Sequence, residues 1–165
     1  MADVIQSAGG IVYYLDKDHE PHYLLIKRHA LSGKIEWVAP KGKIQGDEAI
    51  EKTALREVSE ETAIPINQLK LKQNLGVTQI RNLEHRWPLD KDVTYFLMEF
   101  IGDPGVVSID QIEGYVGIHK WATLQEVLGL IYYQDIRELM RKSHHLILQQ
   151  KKNTSVKEAF LAKLD

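Results

Sequence analysis

The chain has 165 residues, 44% of them hydrophobic and 27% charged, which is the composition of an ordinary globular domain. Its formal charge of −2 argues against a general nucleic-acid-binding protein, and no run of about 18 apolar residues is present that would span a membrane. It contains no cysteine, which excludes disulfides and thiolate chemistry and favours a cytoplasmic location.

Several segments are predicted to be β-strands because they are rich in β-branched and aromatic residues and are bounded by turn-forming residues. The first two, residues 5–15 and 22–29, flank the polar segment "DKDHEP" and are interpreted as a β-hairpin. The remaining strand-like segments are residues 35–40 (ended by Pro40), 69–81, 92–101 and 118–123. Polar or glycine-containing connections are predicted for residues 82–91 and 103–117.

The first helix is predicted to follow a glycine-containing loop at residues 41–47. Asp47 is placed as its N-cap, because a short polar side chain can accept hydrogen bonds from the first free N–H groups of a helix. The helix is expected to end near Thr62, since Pro65 cannot continue it.

Two further helices are predicted in the last third of the chain. Thr123 is expected to cap a helix over residues 124–131, and apolar spacing indicates another over residues 134–150. Strands mixed with two or three helices indicate an α/β or α+β sandwich with a mixed sheet between helices. We expect a single domain at residues 1–150, followed by a tail at 151–165 that forms a short helix or stays mobile.

The end of the first helix concentrates negative charge on one side. Ile50, Ala54, Glu57 and Glu61 fall on one row of a 3.6-residue helix, with Glu60 one turn beside them. If the apolar start of the row faces the sheet, the acidic end lies along the edge of the buried face. Crowded, partly desolvated carboxylates have raised pKa values unless a cation neutralises them, and magnesium or manganese prefers such hard oxygen ligands. A solvated acidic surface helix is the alternative interpretation.

The spacing decides between these interpretations. Gly42, five residues, Glu48, seven residues and then "REVSEETAI" at residues 56–64 resemble the signature of the Nudix hydrolase family. The resemblance implies an α/β/α sandwich over about residues 3–148 with a mixed β-sheet between helices, within the α/β class. Ala63 departs from the signature, which usually has glycine there. If that residue is left-handed, alanine costs about 1 kcal/mol of stability.

The resemblance also implies roles for the motif residues in magnesium- or manganese-dependent hydrolysis of nucleoside diphosphate derivatives. The implied metal ligands are Glu57, Glu60, Glu61 and the carbonyl of Gly42. Arg56 is expected to hold a glutamate carboxylate in position, and Glu48 to be a supporting partner. Glu57 is the predicted general base, with Glu60 as the alternative. A fourth metal carboxylate is expected outside the motif, with Glu113 as first candidate and Glu99 as second.

Basic residues near the motif are predicted to bind substrate phosphates, because lysine acts as a point charge for phosphate. They cluster around the strand and the loop that lead into the helix, as Lys27, Arg28, His29, Lys41 and Lys43, with Lys91 as a further contact. Each of them is alternatively an ordinary solvated surface residue. Lys41 and Lys43 are favoured because they flank Gly42.

The wider pattern resembles the diadenosine tetraphosphate hydrolase branch of the Nudix family. It consists of "SAGGIVYY", "WVAPKGK" before the motif, "KDVTYFLMEF" after it and a late tryptophan followed by two helices. The resemblance implies asymmetric hydrolysis of a dinucleoside polyphosphate, with adenine stacked on Tyr95 and on Tyr132 or Tyr133. The alternative for these tyrosines is a place in the core or at its boundary.

Other substrates and one other class of function stay open. The alternatives are pyrophosphohydrolysis of a nucleoside triphosphate, of an inositol pyrophosphate or of an RNA 5′ end, or a non-catalytic Nudix module that senses a nucleotide. We expect a small-molecule nucleotide substrate, no long nucleic acid, no membrane partner, and a monomer or homodimer. The start "MADVIQSAGG" has no basic and apolar leader, in keeping with a cytoplasmic protein.

Overall fold

The computed structural model describes residues 4–30, 33–81, 90–109 and 115–164. Within these residues, strands and helices follow one another along the chain, and short 3₁₀ turns lie at Ile66–Gln68 and Pro104–Val106. The strands are β1 (Val4–Leu15), β2 (Pro21–His29), β3 (Ile35–Val38), β4 (Lys41–Lys43), β5 (Leu69–Ile80), β6 (Asp90–Phe100) and β7 (Tyr115–Ala122). The helices are α1 (Ile50–Thr62), α2 (Leu124–Leu130) and α3 (Gln134–Ala162).

The strands form one mixed sheet with the order β3-β2-β1-β6-β5, in which β4 also pairs with β1 and β7 also pairs with β2. β1 and β2 form the antiparallel hairpin predicted from the sequence, with Tyr13 opposite Tyr23. β1 and β6 run parallel over ten paired positions, from Val4 opposite Asp90 to Tyr13 opposite Glu99. The parallel pair brings the strand that precedes the acidic motif next to a strand that follows it.

A hydrophobic core lies on each face of the sheet. On one face, Ala54 and Val58 of α1 pack with Ala8, Phe96 and Met98 of the sheet. The core on the other face joins α2 and α3 to the sheet through Val127, Met140 and Ile147, with Leu25 and Leu97 as sheet partners. Three layers result, and the predicted α/β sandwich with a mixed sheet between helices is confirmed.

The predicted N-cap of the first helix was wrong. α1 begins at Ile50 with Ala49 as its N-cap residue, and no described side chain caps it. Glu48 holds the turn instead of Asp47, because its Oε1 accepts hydrogen bonds from the amide of Gln45 at 3.3 Å and from the hydroxyl of Thr53 at 2.7 Å. The carboxylate one residue later in the chain therefore organises the helix start.

Three other boundaries differ from the prediction. Residues 41–43 were predicted as loop but form β4, because the amide of Gly10 in β1 donates to the carbonyl of Pro40 at 3.1 Å and holds the chain against the sheet. The segment predicted as irregular ends earlier, since β7 begins at Tyr115. α3 continues to Ala162, so the predicted tail is helical over most of its length. No helix in the described ranges is long and apolar enough to cross a membrane.

Candidate active site

Helix α1 lies close to the sheet, and that close approach positions its acidic end. A Cβ atom on Gly10 would collide with the Val58 side chain at 2.8 Å and with the Met98 sulfur at 2.9 Å, so glycine is required for this contact. Ala54 and Val58 are fully buried against the sheet. Glu57 and Glu61 follow the same side of the helix and emerge at the sheet edge beside β4.

Arg56 ties the carboxylates of the motif together. Its Nε and Nη2 donate to the two oxygens of Glu48 at 2.7 and 2.9 Å, which is a bidentate ion pair. Its Nη1 donates to Glu57 at 2.8 Å and to Glu60 at 3.1 Å, and its Nη2 also donates to the carbonyl of Lys43 at 3.0 Å. Hydrogen bonds from Arg56 lower the pKa of Glu48 to about 2. One guanidinium therefore links the loop, the helix and β4.

Gly42 packs directly against the carboxylate of Glu57. A Cβ atom at position 42 would overlap all three carboxylate atoms of Glu57, so any larger residue would displace that side chain. The position is fixed by β4, because Gly42 pairs with Ala8 of β1. The glycine that begins the motif thus makes room for the carboxylate that the motif places nearby.

Glu61 is a buried carboxylate whose partners do not satisfy it. Its Oε2 accepts a hydrogen bond from the amide of Lys41 at 3.1 Å, while its Oε1 is buried and has no hydrogen-bond partner in the part of the chain that the structure describes. Burial raises the pKa of Glu61 to about 8, and the charge of Glu57 adds to the rise, while the hydroxyl of Tyr115 and the Lys41 amide offset part of it. A bound cation would favour the charged form of this carboxyl and offset its burial.

The carboxylate oxygens of the site suit a hard divalent cation. Glu61 offers a buried oxygen that has no partner among the described residues, and the neighbouring carboxylate of Glu57 interacts with Glu61 through its charge. Glu60 differs from the expectation that it avoids water, since its side chain is 60% exposed and bonded to Arg56. Within the described ranges, no three or more histidine, aspartate or glutamate side chains lie close enough together to hold a metal ion.

A polar cavity of about 410 Å³ opens beside the motif. Described residues from five strands, the loop after β4 and α1 line it, and they are Ser7, Arg28, Lys41, Gly42, Lys43, Gln45, Glu57, Lys91 and Tyr115. Six of these belong to the motif or to the basic residues named from the sequence, namely Arg28, Lys41, Gly42, Lys43, Glu57 and Lys91. Burial lowers the pKa of Lys41 to about 8, and the positive charges of Arg28 and Lys91 lower it further. The structure thus brings the predicted lysines, the glycine and a motif glutamate into one cavity.

Two predicted phosphate ligands lie elsewhere. Successive side chains of a strand point to opposite faces, so Lys27 and His29 point away from the face that presents Arg28. The ammonium of Lys27 lies 5.4 Å from the centre of the Trp37 ring, and His29 is exposed. Of the three consecutive basic residues in the predicted cluster on this strand, Arg28 is the one that lines the cavity.

The predicted base-stacking tyrosines occupy different environments. Tyr95 is 3% exposed within the core, so its ring faces are covered, and burial raises the pKa of its hydroxyl. Tyr133 is 45% exposed and donates a hydrogen bond to Glu36 at 3.0 Å, with Tyr132 edge-on beside it. The core alternative describes Tyr95, whereas Tyr133 keeps an accessible ring.

Of the two candidates for the fourth carboxylate, the structure describes only Glu99. Glu113 lies outside the described residues. Glu99 lies four residues along β6 from Tyr95, which is about 13 Å in a strand. It forms an ion pair with Lys72 at 3.3 Å and lines a separate cavity of about 340 Å³ with Tyr13.

Comparison with known proteins identifies the family. A profile of the NUDIX domain matches residues 5–145. The chain belongs to the Nudix family. Both the family predicted from the motif and the predicted Nudix-type fold are confirmed. Nudix hydrolases generally use divalent metal ions and act on small nucleotide substrates.

The relatives and solved structures of this Nudix chain include nucleotide hydrolases. Mycobacterium tuberculosis MutT4 is 33% identical over 143 residues, which cover 86% of this chain and 55% of that protein, so the chain spans about half its length. The asymmetrical bis(5′-nucleosyl)-tetraphosphatase of Sus scrofa is 26% identical, covering 76% of this chain and 80% of that enzyme. The C. elegans Ap4A hydrolase binary complex has a TM-score of 0.71 at 21% identity, covering 88% of this chain and 98% of that one, and shows the shared fold.

Proposed function

We propose that this Nudix chain hydrolyses a pyrophosphate bond of dinucleoside polyphosphates, such as diadenosine tetraphosphate, and cuts them asymmetrically. One observation carries the proposal: the buried Glu61 has an oxygen with no hydrogen-bond partner among the described residues, and it lies beside Glu57 next to a cavity lined with basic side chains. An arrangement that needs a cation at the carboxylates and an anion at the lysines matches a metal-dependent reaction of a polyphosphate.

The choice of dinucleoside polyphosphates rests on similarity and on charge. The pig relative carries the name of an asymmetrical bis(5′-nucleosyl)-tetraphosphatase, at 26% identity. The cavity presents Arg28, Lys41, Lys43 and Lys91, which together suit a chain of several phosphates. Nucleoside triphosphates, inositol pyrophosphates, RNA 5′ ends and binding without hydrolysis are the alternatives that the test below separates.

The proposed metal is magnesium, with manganese as a substitute. Glu57, Glu61, Glu60 and the carbonyl of Gly42 are the proposed ligands. When bound, the ion neutralises phosphate charge and lowers the pKa of water.

The side chains of the site have separate roles in the attack of water on phosphorus. The oxygen of water forms a bond to phosphorus while a bridging P–O bond breaks. The electron pair of the broken bond stays on the bridging oxygen, which leaves with the departing phosphate group. The carboxylate of Glu57 takes the proton of the attacking water. Arg56, which donates to Glu57 at 2.8 Å, fixes the orientation of that carboxylate. The lysines of the cavity hold the phosphates in place by charge.

The test is hydrolysis by purified protein with magnesium. The substrates are diadenosine tetraphosphate, a nucleoside triphosphate, an inositol pyrophosphate and a triphosphate-ended RNA. We expect turnover of diadenosine tetraphosphate and a loss of about 10²- to 10⁴-fold in kcat for Glu57→Gln, because a general base and a metal ligand are removed. Glu51→Gln is the matched control, since it removes an exposed carboxylate from the first turn of the same helix.

The outcomes separate the alternatives. If another substrate in the panel is hydrolysed and diadenosine tetraphosphate is not, the proposed substrate is wrong and the proposed pyrophosphate hydrolysis stands. Nucleotide binding without any turnover would identify a sensing module and overturn the proposed reaction. Equal loss in Glu57→Gln and Glu51→Gln would show that the effect is not specific to the site.

A further inference from the structure

We infer that Arg28 determines the preference of this enzyme for long phosphate chains by binding a phosphate beyond the bond that is cleaved. The inference rests on the proposed function and adds the residue that discriminates a tetraphosphate from a diphosphate. Arg28 has no position in the Nudix motif, which begins at Gly42.

The guanidinium of Arg28 has donors available. Among the described residues, its Nε is buried with no hydrogen-bond partner, and no carboxylate forms an ion pair with its nitrogens within 4.0 Å. The guanidinium carbon lies 5.9 Å from the centre of the Tyr115 ring, which supports the group by a cation–π contact. A buried donor without an acceptor is costly, whereas a phosphate oxygen would satisfy it with a charge-assisted hydrogen bond.

The cavity offers several cations to a phosphate chain. Among the described residues, Arg28, Lys41, Lys43 and Lys91 line it together with the carboxylate of Glu57. Each bridging phosphate carries one negative charge at neutral pH, so a chain of four phosphates can meet more of these cations than a chain of two. Arg28 and Lys91 both act on Lys41 through their charge, so the cations are near enough to share one anion.

Arg28 is one residue removed from the carboxylates of the motif. The groups that bond Glu57 and Glu61 directly include Arg56, the amide of Lys41 and the hydroxyl of Tyr115, and Arg28 lies over the ring of Tyr115. Within the described part of the chain, Arg28 forms no ion pair with either glutamate. A cation that lines the cavity without joining the carboxylate cluster is suited to a phosphate farther along the chain.

The experiment compares substrates of different chain length in matched variants. Wild type, Arg28→Gln, Arg28→Lys and Arg141→Gln are assayed with diadenosine tetraphosphate and with ADP-ribose, which has two phosphates. Arg141→Gln makes the same chemical change at an exposed position of α3. In parallel, calorimetry measures binding of inorganic tripolyphosphate and of pyrophosphate, and the thermal midpoint of each variant reports folding.

We expect Arg28→Gln to lower kcat/KM for the tetraphosphate about ten- to a hundredfold, mostly through KM, because one charge-assisted contact is lost. ADP-ribose hydrolysis or pyrophosphate binding should change by less than about threefold, and tripolyphosphate binding should weaken about tenfold or more. Arg28→Lys should fall between, and Arg141→Gln should match wild type.

Equal losses for long and short chains in a folded Arg28→Gln protein would overturn the inference. An unchanged tripolyphosphate affinity in that variant would also overturn it. If wild type cuts no dinucleoside polyphosphate but its tripolyphosphate binding depends on Arg28, the proposed function fails while the role of Arg28 in chain-length recognition stands.

Discussion

Ala63 has a left-handed backbone at the end of α1, with φ 62° and ψ 11°. Its amide donates to the carbonyl of Ser59 at 2.9 Å, which closes the helix and lets the chain turn toward Ile64 in the core. The Nudix signature usually has glycine at this position, which explains why a left-handed turn was expected here from the sequence. Alanine keeps the turn but carries the steric cost of a Cβ atom in that region.

Replacing Ala63 by glycine should stabilise the protein. We expect Ala63→Gly to raise the free energy of unfolding by up to about 1 kcal/mol, because the left-handed strain is removed. Ala63→Val should lower it, since a β-branched residue is a strong outlier at positive φ. Urea unfolding measures both, and an order of stability with valine above glycine would contradict the strain at this residue.

Single positions on β2 show where the sequence was insufficient. Lys27, Arg28 and His29 are all basic, so charge alone did not distinguish them. The choice depends on which face of the strand each occupies, and β2 has a register irregularity against β7 between Ile26 and Arg28. Motif positions such as Gly42 and Glu61 were identified because their spacing follows a regular helix and a fixed signature.

At the scale of elements, α2 is a helix whose start was predicted correctly. The hydroxyl of Thr123 accepts from the amide of Glu126, and the carboxylate of Glu126 accepts from the amide of Thr123 at 3.2 Å, which forms a capping box. Lys120 of β7 also contacts Glu126 at 2.8 Å. Hydrogen bonds from Lys120 and Thr123 lower the pKa of Glu126 to about 2.

The lowered pKa makes the contribution of Glu126 dependent on pH. A carboxylate with a depressed pKa in the folded state stabilises the protein above its unfolded pKa of 4.5, and this stabilisation is lost as the pH falls toward 2. The difference in unfolding free energy between wild type and Glu126→Gln should therefore be constant above pH about 5 and shrink on acidification. Urea unfolding at several pH values measures it, and a difference that grows in acid would contradict the assignment.

Local hydrogen bonding explains the element boundaries that the sequence did not predict. Asp47 has the preferred side chain for an N-cap, but Glu48 is already held by Arg56, Thr53 and Gln45, and α1 starts only after it. Propensity alone cannot weigh such a side-chain network. The same applies to β4, because a three-residue strand depends on its partner β1 rather than on its own sequence.

At the scale of the whole molecule, the sheet lies between the helix that carries the acidic motif and the two helices that cover the opposite face. α1 presents the acidic motif along the edge of one face, while α2 and α3 close a core on the other. The layered fold was predictable from strands mixed with helices in the sequence. The position of Glu99 relative to the motif became known only from the structure. Glu99 shares β6 with Tyr95, yet it pairs with Lys72 in the separate cavity and not with the motif.

The proposed chemistry depends on a divalent ion at the carboxylate end of α1. Calorimetric titration of magnesium or manganese into the full chain tests this directly, with Glu61→Gln as the test variant and Glu51→Gln as the matched control. We predict metal uptake by wild type and Glu51→Gln, and an affinity at least about tenfold weaker for Glu61→Gln, because a neutral amide replaces a carboxylate whose Oε1 has no partner among the described residues. Equal metal affinity in wild type and Glu61→Gln would contradict the proposed site.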